Sequence, residues 1–135
     1  MDVSERWIQT AQKRLKKYPN VSYALGDIAD LKIADNAYDI VVTHFVLHHI
    51  EKSERREKVH ILGRKLKPRG HFFIRKPTGA GHGTSAAEIR AVMSSAGLRE
   101  RESRLTKSLT GKVFDGVFEK VPIDASSGAW DLAIF

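Results

Sequence analysis

The residues of this chain best suited to chemistry lie in one stretch, Tyr38 to Ile50, Y-D-I-V-V-T-H-F-V-L-H-H-I. It begins as a run of apolar, β-branched side chains, which reads as a strand buried on both faces, as in a parallel α/β sheet. It then delivers Thr43, His44, His48 and His49. Imidazole titrates near neutral pH, so a histidine can serve as general acid or base, or orient a substrate. His48 and His49 are the candidate pair for that role; the alternative is that they only hydrogen-bond within a loop or helix start. His44 and His48 have the i, i+4 spacing of a metal-binding helix face. The first falls at a strand end, however, and no third ligand stands nearby, so no metal is expected. Ligands of open α/β sheets sit beyond the carboxyl ends of the strands, which is where Thr43 and His44 are placed.

Two further constellations could bind a ligand. Gly26-Asp27 follows the apolar run Val21 to Leu25 and would set a carboxylate at a strand's carboxyl edge, ready to accept hydrogen bonds from an amine or hydroxyl. Gly-Asp is equally at home in an ordinary β-turn. Gly79-Ala80-Gly81-His82-Gly83 stands between a strand and a helix, in the form of a phosphate-cradling glycine loop. Glu100 or Glu102 follows at the distance of a ribose-binding acid. The stiff Arg75-Lys76-Pro77 interrupts that pattern, so residues 76–84 read better as a flexible active-site loop.

The elements that must position these residues follow from capping and periodicity. Ser4 caps a first helix whose Trp7, Ile8, Ala11 and Leu15 share one face, with Val3 able to pack on Ile8. Tyr18-Pro19-Asn20 ends it, and Val21 to Leu25 is a short strand. Ser53 caps a second helix burying Val59, Leu62 and Leu66, weakened by Gly63 and ended by Pro68 and Gly70. His71 to Arg75 is a strand. Ser85-Ala86-Ala87-Glu88 is a capping box, followed by the stripe Ile89, Val92, Met93, Ala96 and a C′ glycine, Gly97. Leu98 to Leu105 and Lys112 to Val121 are two last strands. The order predicts an α/β sheet with helices on both faces, finished by an antiparallel pair.

Composition sets the outer bounds. The 135 residues suit one domain, short for a complete doubly wound nucleotide-binding fold. Cysteine is absent, which excludes disulfides and thiolate metal sites. No apolar run reaches transmembrane length, and the start M-D-V-S-E-R is unlike a signal peptide, so a cytoplasmic location is expected. The net charge of +7 is spread over several segments and reads as solvated faces rather than a nucleic-acid site. The strands also lack aromatic motifs for stacking bases.

Taken in order, D-V-S-E with A-Q-K-R-L, L-G-D-I, A-Y-D-I-V-V-T-H-F-V-L-H-H-I, L-K-P-R-G-H-F-F-I, the A-G-L turn and G-V-F-E-K resemble a class I S-adenosylmethionine-dependent methyltransferase of the small-molecule, quinone-biosynthesis-like group. The resemblance covers residues 1–121; residues 122–135 form a tail that pattern does not place. It implies a Rossmann-like sheet, S-adenosylmethionine as cofactor and a small-molecule acceptor. It also implies roles. Asp2 matches the acid that binds the cofactor ribose, and Asp27 and Ile28, following Gly26, match the acid and neighbour that meet the adenine. Thr43 and His44 match the strand end lining the methionine part, and His49 the histidine that recurs after it. Arg69 stands in the Lys67-Pro68-Arg69-Gly70 turn where glycine is more usual.

The same comparison implies a gap. The family's first strand and glycine-rich loop belong upstream of Asp2, so the resemblance predicts an N-terminally incomplete sheet that binds the cofactor weakly or not at all on its own. The strand at Asp39 to Thr43 would then have an open edge. Direct pairing with the strand at Val21, a homodimer or complementing chain, or the segment Trp130 to Phe135 could cover it. A second function follows from that edge: a non-catalytic partner of a complete methyltransferase.

Overall fold

A computed structural model describes residues 1–78, 84–109 and 111–122. The loop expected at Gly79 to Gly83 and the segment Trp130 to Phe135 lie outside the described residues. The chain divides into two compact units, Met1–Ile33 and Ala34–Phe135.

The first unit contains helix α1, Glu5–Leu15. Ser4 caps it as expected, its hydroxyl accepting from the Trp7 N–H, with Glu5 in the first turn and Lys13 and Arg14 in the last. The predicted apolar stripe is realised only at Ile8; Trp7 is 59% exposed, and Val3 is exposed as well. Too few apolar residues belong to so small a unit to cover a tryptophan. The strand expected at Val21 to Leu25 shrinks to one parallel bridge, Asp2 with Leu25. Asp2 N–H bonds Ala24 O at 3.1 Å and Gly26 N–H bonds Asp2 O at 3.0 Å. A partner one residue long cannot sustain a ladder.

The second unit is an α/β layer. Its elements are β1 (Tyr38–His44), α2 (Lys52–Lys65), β2 (Leu66–Thr78), α3 (Ala86–Ser95), β3 (Leu98–Ser108) and β4 (Gly111–Lys120). The four strands lie in the order β1-β2-β4-β3, with β1 parallel to β2 and both other pairs antiparallel. This is the predicted mixed sheet with its closing antiparallel pair. Alternation along β2 and β4 sends Phe72, Ile74, Phe114 and Phe118 to one face. There they are buried with Val59 and Leu62 of α2 and Ile89 and Met93 of α3. The Ser85–Glu88 capping box is complete in both directions, and Gly97 takes the left-handed φ of 72° that a C′ residue needs. Gly63 has a packing reason, since a Cβ there would lie 3.4 Å from Ala96 O, at the approach of α2 to α3.

Several expectations fail here. The β1 strand is not buried on both faces: Ile40 is 55% and Val42 65% exposed, while Thr43 on the opposite face is buried. Composition alone cannot tell a two-sided core strand from a one-sided edge strand. Likewise, Pro68 and Gly70 do not end α2, and Lys76-Pro77-Thr78 is not loop. Glu51, not Ser53, precedes α2, which runs straight into β2, with a register irregularity between Tyr38↔Leu66 and Ile40↔His71. Pro77 pairs opposite Val113 beyond the point where β1 ends, so no ladder bond to β1 is forfeited.

The irregularity explains the substituted turn. Arg69 has φ 64°, a left-handed conformation that disfavours a side chain. Gly70 follows it with no room for a Cβ, which would lie 2.9 Å from Lys67 O and 3.0 Å from Asp39 O. Arg69→Gly is therefore expected to stabilise the protein by about 1 kcal/mol, the relieved strain exceeding the added chain entropy. Urea unfolding followed by circular dichroism measures it; a lowered midpoint would show that the arginine side chain holds something the backbone strain does not outweigh.

Candidate active site

The residues singled out by sequence fall in both units, and each group has its own geometry. In the first unit the Asp2–Leu25 bridge brings Asp2 beside Gly26. The Asp2 carboxylate accepts from Ser4 N–H at 2.8 Å, so it is held at the start of α1. Gly26 has φ 142°, and a side chain there would be strained. The turn it makes presents Asp27, whose carboxylate accepts from Ala29 N–H at 2.9 Å, and Ile28, which is buried. Two carboxylates thus flank one short stretch of backbone.

In the second unit, the carboxyl end of β1 gathers Thr43, His44, His48 and His49. Thr43 is 5% exposed, and its hydroxyl has no hydrogen-bond partner among the described residues. An orphaned buried hydroxyl is costly and marks a place where a ligand or water would be bound. After His44 the chain turns through Phe45, whose φ of 55° is rare for an aromatic residue. Its N–H is fixed to Arg75 O at 2.8 Å. That turn creates a ring cluster: His44 lies edge-on to Phe45 with centroids 4.5 Å apart, and Phe45 lies edge-on to His48 at 6.5 Å. His48 and His49 follow on a short 3₁₀ turn, Leu47–His49, with ring centroids 3.9 Å apart. The Arg75 guanidinium stands 5.9 Å from the Phe45 ring and pairs with Asp115 at 3.5 Å.

The i, i+4 pair does not share a helix face, since His44 ends a strand and His48 sits in the 3₁₀ turn. Glu100, on β3, is held by Arg90, whose Nε donates to its carboxylate at 2.8 Å. What the sequence missed is Lys76. It sits at the end of β2, only 1% exposed, with its ammonium donating to Pro77 O at 3.2 Å. Burial and the neighbouring Arg55 push its pKa below the ordinary lysine value, opposed by Glu88. Nothing in the string R-K-P-T distinguishes Lys76 from its exposed neighbours except the alternation that puts it on the face of Phe72 and Ile74.

A lysine held below 10.5 in the native state binds its proton less tightly than in the unfolded chain. Stability therefore rises with pH through the window between the depressed value and 10.5. Lys120, also lowered by burial, acts in the same direction. Lys76→Met is expected to raise stability at neutral pH by about 1 kcal/mol and to flatten the alkaline rise without abolishing it. Urea midpoints collected across the alkaline range test this, and an unchanged slope would contradict it.

Comparison with known proteins settles the lineage. Residues 1–74 match the methyltransferase domain family. The chain belongs to that family. Over 61 residues it is 34% identical to phosphoethanolamine N-methyltransferase 1 of Triticum aestivum, a match spanning 44% of this chain and 12% of the wheat protein. Its fold is similar to the N-methyltransferase NodS from Bradyrhizobium japonicum WM9, solved with S-adenosyl-L-homocysteine, with a TM-score of 0.78 at 24% identity. That similarity covers 88% of this chain and 64% of NodS. The [4+2]-cyclase SpnF has the same fold, with a TM-score of 0.76 at 15% identity, over 88% of this chain and 64% of SpnF. The chain thus spans less than two thirds of these relatives. The cyclase shows that the fold does not by itself dictate methyl transfer. No helix among the described residues is long and apolar enough to cross a membrane.

Proposed function

We propose that this protein takes part in S-adenosylmethionine-dependent methyl transfer to a small-molecule acceptor. The observation that carries the reading is the orphaned, buried hydroxyl of Thr43 at the carboxyl end of β1, in a chain of the methyltransferase family. Within the first unit, the family resemblance supports assigning Asp2 to the cofactor ribose and Asp27, with Gly26 and Ile28, to the adenine; within the second, it supports assigning Thr43 and His44 to the methionine part. When bound, S-adenosylmethionine supplies a methyl group activated on a sulfonium. The protein's share is to hold the acceptor in line and exclude water, with a base only where the acceptor must lose a proton. His49, exposed beside the half-buried His48, is the residue assigned to take that proton, and His48 to hold it in place.

Titration calorimetry with S-adenosylhomocysteine tests the reading. Weak but saturable binding is expected, reduced about tenfold or more by Asp2→Ala and by Asp27→Ala, the scale of a lost charged hydrogen bond. Binding indifferent to both changes, or no saturation at millimolar ligand, would sink it.

A second reading has its own observation. The exposed Ile40 and Val42 lie on a strand that pairs with β2 alone among the described residues. Such an edge suits a non-catalytic partner that stabilises a complete methyltransferase, or a homodimer, by strand addition. Light scattering discriminates: a monomer at all concentrations, alone and with a family enzyme, argues against it.

A further inference from the structure

The turn that carries His48 and His49 has little to hold its own shape. Its entry is fixed by backbone, Phe45 N–H to Arg75 O of β2. Within the turn, His49 N–H reaches Val46 O at 3.0 Å, and Ile50 N–H reaches Leu47 O at 3.4 Å, beyond the usual range. Neither Val46, before the 3₁₀ turn, nor Glu51, before α2, provides a side-chain cap. So short a 3₁₀ turn, with one bond stretched, needs a second fix at its exit.

Arg55 supplies it. From the first turn of α2 its Nε donates to Ile50 O at 2.8 Å, the carbonyl of the residue after His49. Its Nη1 donates to Thr84 Oγ1 at 2.5 Å. Thr84 immediately precedes Ser85, whose capping box fixes the start of α3. The planar guanidinium thus ties the exit of the histidine turn to α3. Stability does not account for an arginine here. A cation in the first turn of a helix opposes the macrodipole. Burial lowers the pKa of Lys76, and Arg55 lowers it further, so the two cations repel. Both line one small cavity with Leu47, Val59, Thr84 and Met93. Glutamine would donate to Ile50 O without either penalty, but it lacks the rigid fork that bonds in two directions.

We propose that Arg55 is a positioning residue for His49, holding the Ile50 carbonyl so that the His49 ring keeps its place beside His48. The inference rests on the assignment of His49 as the base. It adds the residue that aims that base, which lies outside the Tyr38 to Ile50 stretch and touches no reacting atom.

Histidine ring resonances of the full chain, with turnover of two acceptors, test the proposal. Arg55→Ala should move the His48 and His49 ring signals toward those of an unstructured peptide. Guanidinium at a non-denaturing concentration should bring them back. The His60 ring, which bonds Ser95 at 3.0 Å elsewhere on α2, should stay in place. With a hydroxyl acceptor, kcat should fall about 10-fold to 10²-fold and KM change about threefold or less, the effect of a misplaced group. A neutral amine acceptor should show neither change. If Arg55→Ala loses the His60 signal, Arg55→Gln and Thr84→Val replace it, with shifts in the same direction expected. Unmoved His48 and His49 signals overturn the proposal. So does unchanged turnover of the hydroxyl acceptor where His49→Ala abolishes it. Turnover that survives His49→Ala removes the base assignment itself, and this inference falls with it even if the rings move.

Discussion

Replacing Phe118 by alanine is expected to cost about 3–5 kcal/mol, the range for deleting a buried aromatic ring. Phe118 is 1% exposed, in register with the fully buried Phe72 of the neighbouring strand. Gly116, two residues earlier on the same face, leaves space filled by neighbouring rings: a Cβ there would lie 2.7 Å from Phe114 Cε1 and 2.8 Å from Phe118 Cε2. Rings so closely fitted collapse poorly around a void, which puts the cost toward the upper part of the range. Natural domains have about 5–15 kcal/mol of stability in all, so this change would consume a large share. The contrast is Phe73, next in sequence but on the open face, where alanine should cost about 1 kcal/mol or less. Urea unfolding by circular dichroism compares the two. Similar losses would mean that the face carrying Phe73 is covered as well, and that the helix layer is not what holds this sheet.

That pair of phenylalanines also shows what could be read from sequence. H-F-F-I announces a strand, and alternation assigns its two rings to opposite faces; which face is covered depends on where α2 and α3 settle, a matter of long-range packing. The same limit explains β1. Its β-branched run identified a strand correctly, but composition alone assigned it a burial on both faces that the sheet does not provide. Local signals fared better: the Ser85–Glu88 capping box and the Gly97 cap depend on residues within one turn of each other and appear as predicted. Lys76 marks the opposite extreme. Its burial results from β2 continuing past Arg75, and Pro77 suggested that the strand had ended, because a proline is costly only if a neighbour needs its N–H. At the site, the residue types were legible and the Phe45 turn was not. No rule of composition places an aromatic residue at φ 55°.

The Phe45 turn bears on the largest functional effect to be expected. At that turn the rings of His44 and His48 flank Phe45 at the end of β1, and the His49 ring lies 3.9 Å from that of His48. If His49 takes the acceptor's proton and His48 positions it, replacing both by alanine should lower turnover by about 10²–10⁴-fold, the range for a positioned acid or base. Cofactor affinity should move by about threefold or less, because neither ring is among the groups assigned to it. His49→Ala alone should account for most of the loss, since His49 is exposed to an incoming acceptor while His48 is half-buried behind it. The readout is S-adenosylhomocysteine formation with small amine, hydroxyl and carbon acceptors, over a range of pH. A hydroxyl acceptor needs its proton removed during transfer and should show the full loss. A neutral amine attacks through its own lone pair and should show little, with its dependence on pH set by the amine rather than the protein. Equal turnover by the doubly substituted protein with every acceptor would remove both histidines from catalysis and leave the ring cluster a purely structural closure of β1.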